Sequence, residues 1–129
     1  MLKMTIKTAN LTLALIVLTS FSEAQVSDIN IVNKLLGKNY LEISQTLDTL
    51  GVWYYYHGDE NCSLTIETNG IAKCFYFHYY YTNQNFCKIY KIVINYRHDS
   101  RSQIEELKKI KKLGNVEVGK FSTDVVFKL

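Results

Sequence analysis

Residues 62–81 read CSLTIETNGIAKCFYFHYYY, and this stretch decides the fold. Asn69-Gly70 sits between two runs of β-branched and aromatic residues. Both central positions of a type I′ turn need φ > 0, so Asn-Gly between such runs specifies a two-residue hairpin. With those two residues in the loop, Thr68 faces Ile71, Ile66 faces Lys73, Leu64 faces Phe75 and Cys62 faces Phe77. Side chains alternate across a strand. Leu64, Ile66, Phe75 and Phe77 therefore share one face, and Cys74, Tyr76, His78 and Tyr80 share the other.

The pattern extends outward on both sides. VWYYYH (52–57) precedes GDEN (58–61), and TNQN (82–85) precedes FCKIYKIVINYRH (86–98). Aromatic and β-branched runs separated by turn residues predict a four-stranded antiparallel meander. Four-residue loops at GDEN and TNQN set Tyr55 against Leu64, His57 against Cys62, Phe77 against Tyr90 and Phe75 against Ile92. The expected core face then carries Trp53, Tyr55, Leu64, Ile66, Phe75, Phe77, Tyr90, Ile92 and Ile94. The expected open face carries Tyr54, Tyr56, Tyr76, His78 and Tyr80, with Lys91 opposite Tyr76 and Arg97 toward one edge.

Helices flank the meander. Ser27 caps an expected helix over 28–36, with Gly37 as its stop. Asn39 stands three residues before Glu42, a capping-box spacing, and Tyr40, Ile43, Leu47 and Leu50 repeat at helical intervals up to Gly51. Beyond the meander, Ser102 and Glu105 suggest another capping box. Ile104, Leu107, Ile110 and Leu113 give an apolar stripe closed by Gly114. NVEV (115–118) and DVVFKL (124–129) read as one or two short strands, with Val125, Phe127 and Leu129 on one face. The expected class is α+β: an N-terminal helix pair, a four-stranded antiparallel meander, a helix and short C-terminal strands, with the helices on one face of the sheet.

The first residues are expected to be a leader rather than fold. MLKMTIKTAN carries Lys3 and Lys7 and no acid, an apolar run follows from Leu11 to Phe21, and Ser22-x-Ala24 is a small-x-small cleavage site. That is the pattern of a secretory signal peptide over residues 1–24. Its apolar run is shorter than the ~20 residues a bilayer span needs, so no membrane span is expected after cleavage. Residues 25–129 then form a single domain, exported to a periplasmic or extracellular space. The whole chain has 15 basic and 12 acidic side chains, a formal charge of +3. That balance is too weak to imply nucleic acid as a partner. Three cysteines, Cys62, Cys74 and Cys87, match no zinc spacing. The register sets Cys74 and Cys87 roughly 20 Å apart, so no intramolecular disulfide is expected.

Few residues point to chemistry. KKIKK (108–112) offers charge to an acidic partner, but cations near a helix C-terminus, with Glu105 four residues before Lys109, more often make a solvated face. His57, Asp59 and Glu60 supply too few ligands at one turn for a metal site. Cys87 falls diagonally beside His78, the beginning of a thiolate nucleophile, yet no orienting group or oxyanion donor accompanies it. No catalytic residue, metal or cofactor is therefore expected. The aromatic face is the better lead, since tyrosine and arginine bury apolar area while satisfying a polar end.

The glycine-bounded helix pair LLGKNYLEISQTLDTLG (35–51), followed by a meander, resembles the small exported fold of β-lactamase-inhibitor-like proteins and small outer-membrane-assembly lipoproteins over residues 26–97. No lipid-accepting cysteine stands near residue 24. What the resemblance implies is binding through an aromatic sheet face. The expectation is a non-enzymatic binding module that meets a protein or glycan through Tyr54, Tyr56, Tyr76, His78, Tyr80, Lys91 and Arg97. The alternatives are a structural envelope component that makes contact through its helices, and a small thiol-dependent enzyme.

Overall fold

A computed structural model describes residues 26–58, 63–80 and 88–129. The signal segment, Asp59, Glu60, Cys62 and Cys87 lie outside the described residues, and so do the expectations that rest on them. The chain is α+β. Helix α1 (Asp28–Leu35), a 3-10 turn (Tyr40–Glu42) and α2 (Ile43–Leu50) precede strands β1 (Trp53–Tyr56), β2 (Ser63–Thr68), β3 (Ile71–Tyr80) and β4 (Lys88–Arg97). Helix α3 (Arg101–Ile110), β5 (Asn115–Val118) and β6 (Ser122–Lys128) complete it. All pairings are antiparallel, in the order β1-β2-β3-β4-β6-β5. The expected meander is thus part of one six-stranded sheet, which the C-terminal hairpin extends in its own plane.

Local chemistry sets the helix ends. Ser27 Oγ accepts the Asn30 amide at 3.3 Å, and Asp28 places negative charge in the first turn, where the helix dipole favours it. The Asn39/Glu42 capping box forms as the spacing predicts, with Asn39 Oδ1 accepting from Leu41 N at 2.9 Å and Glu42 Oε2 accepting from Asn39 N at 3.1 Å. Gly51 ends α2 with φ +70°, a left-handed cap that a side chain would strain. The expected cap of α3 moves: Ser100, not Ser102, accepts the Gln103 amide at 3.3 Å. Gln103 also ties this first turn to the sheet. Its Oε1 accepts from Arg97 N at 2.7 Å and its Nε2 donates to Ala72 O at 2.8 Å. Leu113 lies beyond the helix and is exposed, not on the expected core stripe.

The Asn69-Gly70 turn behaves as read, with φ of +54° and +79°. It fixes Thr68 against Ile71, Ile66 against Lys73 and Leu64 against Phe75. Ile31, Val32 and Leu35 of α1, Ile43 and Leu47 of α2 and Ile110 of α3 join one buried cluster with Leu64, Ile66, Phe75, Phe77, Ile92, Ile94, Val125 and Phe127 of the sheet.

Two strands depart from expectation. In β1, Tyr55 pairs with Thr65 and Tyr56 with Leu64, one residue away from the expected register. A one-residue slip sends every side chain to the opposite face. Trp53 and Tyr55, expected in the core, are exposed, while Tyr54 and Tyr56, expected on the open face, pack against the core. In β4, Phe77 pairs with Ile92 and Phe75 with Ile94, two residues from the expected register, which preserves the face. The ladder then shifts between His78 and Tyr79, and Tyr90 is left as the extra residue of a β-bulge. The bulge returns Ile89 to the core and turns Tyr90, expected in the core, out toward Tyr80.

Candidate functional site

Two constellations stand out, one inside the fold and one on its outer face. The inner one was not foreseen as a unit. Lys73 alternates into the core face of β3 and is only 2% exposed. Its ammonium lies 3.0 Å from Asp28 Oδ2 and donates to Thr68 Oγ1 at 3.1 Å. Thr68 in turn donates to Asp28 Oδ1 at 2.8 Å, and the Tyr96 hydroxyl donates to Asp28 Oδ2 at 2.6 Å. Burial, followed by the neighbouring Asp28 carboxylate, pushes the Tyr96 phenol far above its ordinary range, so it stays a donor. The four groups tie the first turn of α1 to β2, β3 and β4. Among the described residues no buried side-chain polar atom lacks a partner, so this network is closed. The sequence held the clue: Lys73 stands opposite Ile66 at an inward position.

The outer face carries the aromatic residues. The β5–β6 hairpin lies beside β4 and does not fold across this face. Trp53, Tyr55, Tyr76 and Tyr80 are 57%, 60%, 40% and 58% exposed. At one end, Tyr80 and Tyr90 stack with ring centroids 4.1 Å apart, and the His78 ring lies 6.4 Å from Tyr90. Lys91 pairs across the strands with His78 on one side and Lys128 on the other, so its expected place opposite Tyr76 belongs to Val93. Burial and then the nearby Lys91 charge lower the His78 pKa, which favours a neutral ring at pH 7. A hydrogen bond with Cys74, together with burial, raises Tyr76 to about 12.

The remaining expected site residues separate. Tyr54 and Tyr56 leave the outer face and bind α2: Tyr54 OH donates to Asp48 Oδ1 at 2.9 Å, and Tyr56 OH lies 2.5 Å from Ser44 Oγ. Arg97 is exposed at the far end of β4 and is held by Asp99, with Nε and Nη2 donating to the two carboxylate oxygens at 3.0 and 2.7 Å. Tyr76, His78, Tyr80 and Lys91 are thus brought together, joined by Tyr90 and Lys128. The bulge signal for Tyr90 was absent from the sequence, but Lys128 could have been found by pairing the last strand with β4.

Cys74 is a free thiol, and burial raises its pKa, which keeps it protonated at neutral pH. Among the described residues no cluster of three histidine, cysteine, aspartate or glutamate side chains could hold a metal ion, and no helix is long and apolar enough to cross a membrane. Lys108 and Lys109 pair with Glu105 and Glu106 at 3.2 and 3.4 Å, one turn back along α3, so part of the basic run serves its own helix. No family model matches the chain, and comparison with curated proteins and with solved structures finds no match to it.

Proposed function

We propose that this protein is an exported, non-enzymatic binding module that meets a protein or glycan partner through the outer face of its sheet. The observation that supports this reading most is the exposure of Trp53, Tyr55, Tyr76 and Tyr80 on a face that the C-terminal hairpin leaves open. Exposed aromatic side chains are among the residues that carry interface energy. Residues 1–24 act as a secretory leader in this reading, with the mature chain starting at Gln25.

The test is capture from the native envelope fraction with wild type, Tyr76→Ala, Tyr80→Ala and Leu41→Ala. A true anchor on the outer face should cost about 2 kcal/mol of binding or more. Loss with the tyrosine variants and retention with Leu41→Ala supports the reading. The reverse pattern supports contact through the helices, a second reading motivated by Leu41, which stands exposed on the 3-10 turn. Intact-mass measurement of the protein recovered from native cells tests the leader, and a chain that keeps Met1 in the soluble interior of the cell would remove export from the proposal.

A further inference from the structure

The outer face is chemically uneven, and among the described residues its β3–β4–β6 end gathers basic side chains that no acidic side chain pairs. His78, Lys91 and Lys128 stand in one row across three adjacent strands. Two lysines directly opposite one another on neighbouring strands repel and lower stability. The ion pairs of the described residues use other cations, namely Lys73, Arg97, Lys108 and Lys109. Asp124, an acid on the same face of β6, is four residues from Lys128, roughly 13 Å along the strand, and already accepts from Asn95 at 2.7 Å. Residues 81–87, YTNQNFC, contain no acid. Lys88 lies between two hollows, one shared with Glu42 and one with Tyr80, Tyr90, Lys91, Lys128 and Leu129, so the directly opposed Lys91 and Lys128 carry the argument.

Beside this row the bulge turns Tyr90 out to stack on Tyr80. Without the extra residue, Tyr90 would point into the core and Tyr80 would stand alone. The rings and ammonium groups border a hollow of about 420 Å³, within the ~300–1,000 Å³ range that holds small ligands. It lies on interior strands, so it offers no free backbone edge for strand addition by a peptide. Nor is it a long apolar groove for a helix. What remains is side-chain recognition of a ring-shaped ligand that bears negative charge.

We infer that this hollow binds an acidic saccharide, with the apolar face of one sugar ring against Tyr80 and Tyr90 and the sugar carboxylate on Lys91 and Lys128. The inference rests on the outer-face reading above and names its ligand class. Lys91 and Lys128 repel each other in the free protein, and one carboxylate between them relieves that cost.

The experiment is titration of the mature chain with trigalacturonate, neutral galactotriose and hexaglutamate, followed by backbone amide shifts in NMR and repeated at high salt. Trigalacturonate should bind at low salt and galactotriose should not. The shifts should fall on residues 76–80, 88–93 and 126–129, and Lys91→Gln or Lys128→Gln should each weaken binding about tenfold, the scale of a charge-assisted hydrogen bond. The same two substitutions should raise Tm in the absence of ligand, a readout independent of any ligand choice. Failure of trigalacturonate to bind overturns the inference, and so does a fall in Tm. Equal binding of galactotriose overturns the charge requirement while leaving the outer face as the site. Tighter binding of hexaglutamate replaces the saccharide with an acidic peptide. Shifts confined to the helices remove the outer-face reading together with the inference.

Discussion

Asp28→Ala is the substitution whose cost the structure fixes best. It removes the carboxylate that faces the Lys73 ammonium at 3.0 Å and accepts from Thr68 and Tyr96 at 2.8 and 2.6 Å. Lys73 then keeps only neutral partners, the Thr68 hydroxyl at 3.1 Å and the Tyr96 ring with its centroid 5.8 Å away, inside a buried site. Breaking a buried ion pair from one side costs about 3–5 kcal/mol, because the surviving charge is left uncompensated. A domain of this size has about 5–15 kcal/mol of stability in all, so the variant sits near the edge of folding. Lys73→Met should cost less than Asp28→Ala, since the carboxylate keeps Thr68, Tyr96 and the α1 N-terminus as partners. The double variant Asp28→Ala/Lys73→Met should be more stable than Asp28→Ala alone, because it deletes the orphaned cation. Urea unfolding followed by circular dichroism measures all four proteins. With an m-value of about 1–3 kcal/mol/M, the Asp28→Ala midpoint should fall by about 1 M or more. Strictly additive costs would refute the reasoning, because they would mean that the two charges do not stabilise each other in the folded state.

Three further outcomes are expected. Phe75→Ala and Phe77→Ala should each cost about 3–5 kcal/mol by leaving cavities in the core, while Tyr76→Ala on the outer face should cost about 0.5 kcal/mol or less; denaturation of all three checks the contrast between adjacent residues. Gly114→Ala should destabilise by about 1–3 kcal/mol, because an added Cβ would sit 2.9 Å from Val125 Cγ1 and 2.9 Å from the Val126 carbonyl oxygen; a thermal melt measures it. Tyr76 should ionise near pH 12, so its stabilising contribution is complete below the ordinary phenol value of 10.0 and is lost as pH rises through the folded value; ultraviolet titration should show this midpoint falling toward the ordinary one in Cys74→Ala.

The parts legible in the sequence are those where one residue type answers one geometric demand. Asn69-Gly70 supplies two positive-φ positions, and the β2–β3 register follows from it. Ser27 and the Asn39/Glu42 pair supply caps. The parts that misled are those where alternation carries no contrast. Residues 53–56 read WYYY, aromatic at both parities, so nothing in the pattern distinguishes Trp53/Tyr55 inward from Tyr54/Tyr56 inward. The deciding contacts come from α2, where Asp48 and Ser44 stand one helical turn apart and meet the Tyr54 and Tyr56 hydroxyls. In this register both tyrosine hydroxyls are satisfied on α2, Tyr54 donating to Asp48 and Tyr56 bonded to Ser44, while Trp53 and Tyr55 are left exposed. The bulge at Tyr90 was hidden for a related reason. KIYKIVI reads as regular alternation up to the point where Ile89 and Ile92, three residues apart, both enter the core.

The exchange of Tyr54 and Tyr56 for Trp53, Tyr55 and Tyr90 changes what the outer face can do. On the helix side each rearranged or charged polar group ends on an internal partner: Tyr54 on Asp48, Tyr56 on Ser44, Tyr96 and Lys73 on Asp28. Those residues are accounted for by stability, and nothing further is needed to explain them. The outer face closes its polar groups in the middle, where Asn95 meets Asp124 and Tyr76 meets Cys74, and also where His57 meets Thr65 and Arg97 meets Asp99. At one end Trp53 and Tyr55 project into water, and at the other Tyr80 and Tyr90 stack beside Lys91 and Lys128. A fold selected for stability alone would gain by placing an acid opposite Lys91, as cross-strand pairs of opposite charge stabilise a sheet. The lysine at position 128 forgoes that gain, and the bulge adds an aromatic ring where a regular strand would have buried one. Both departures fall within the same few residues of the same face. That coincidence, rather than the abundance of tyrosine, is what supports placing the proposed site at the β3–β4–β6 end of the sheet.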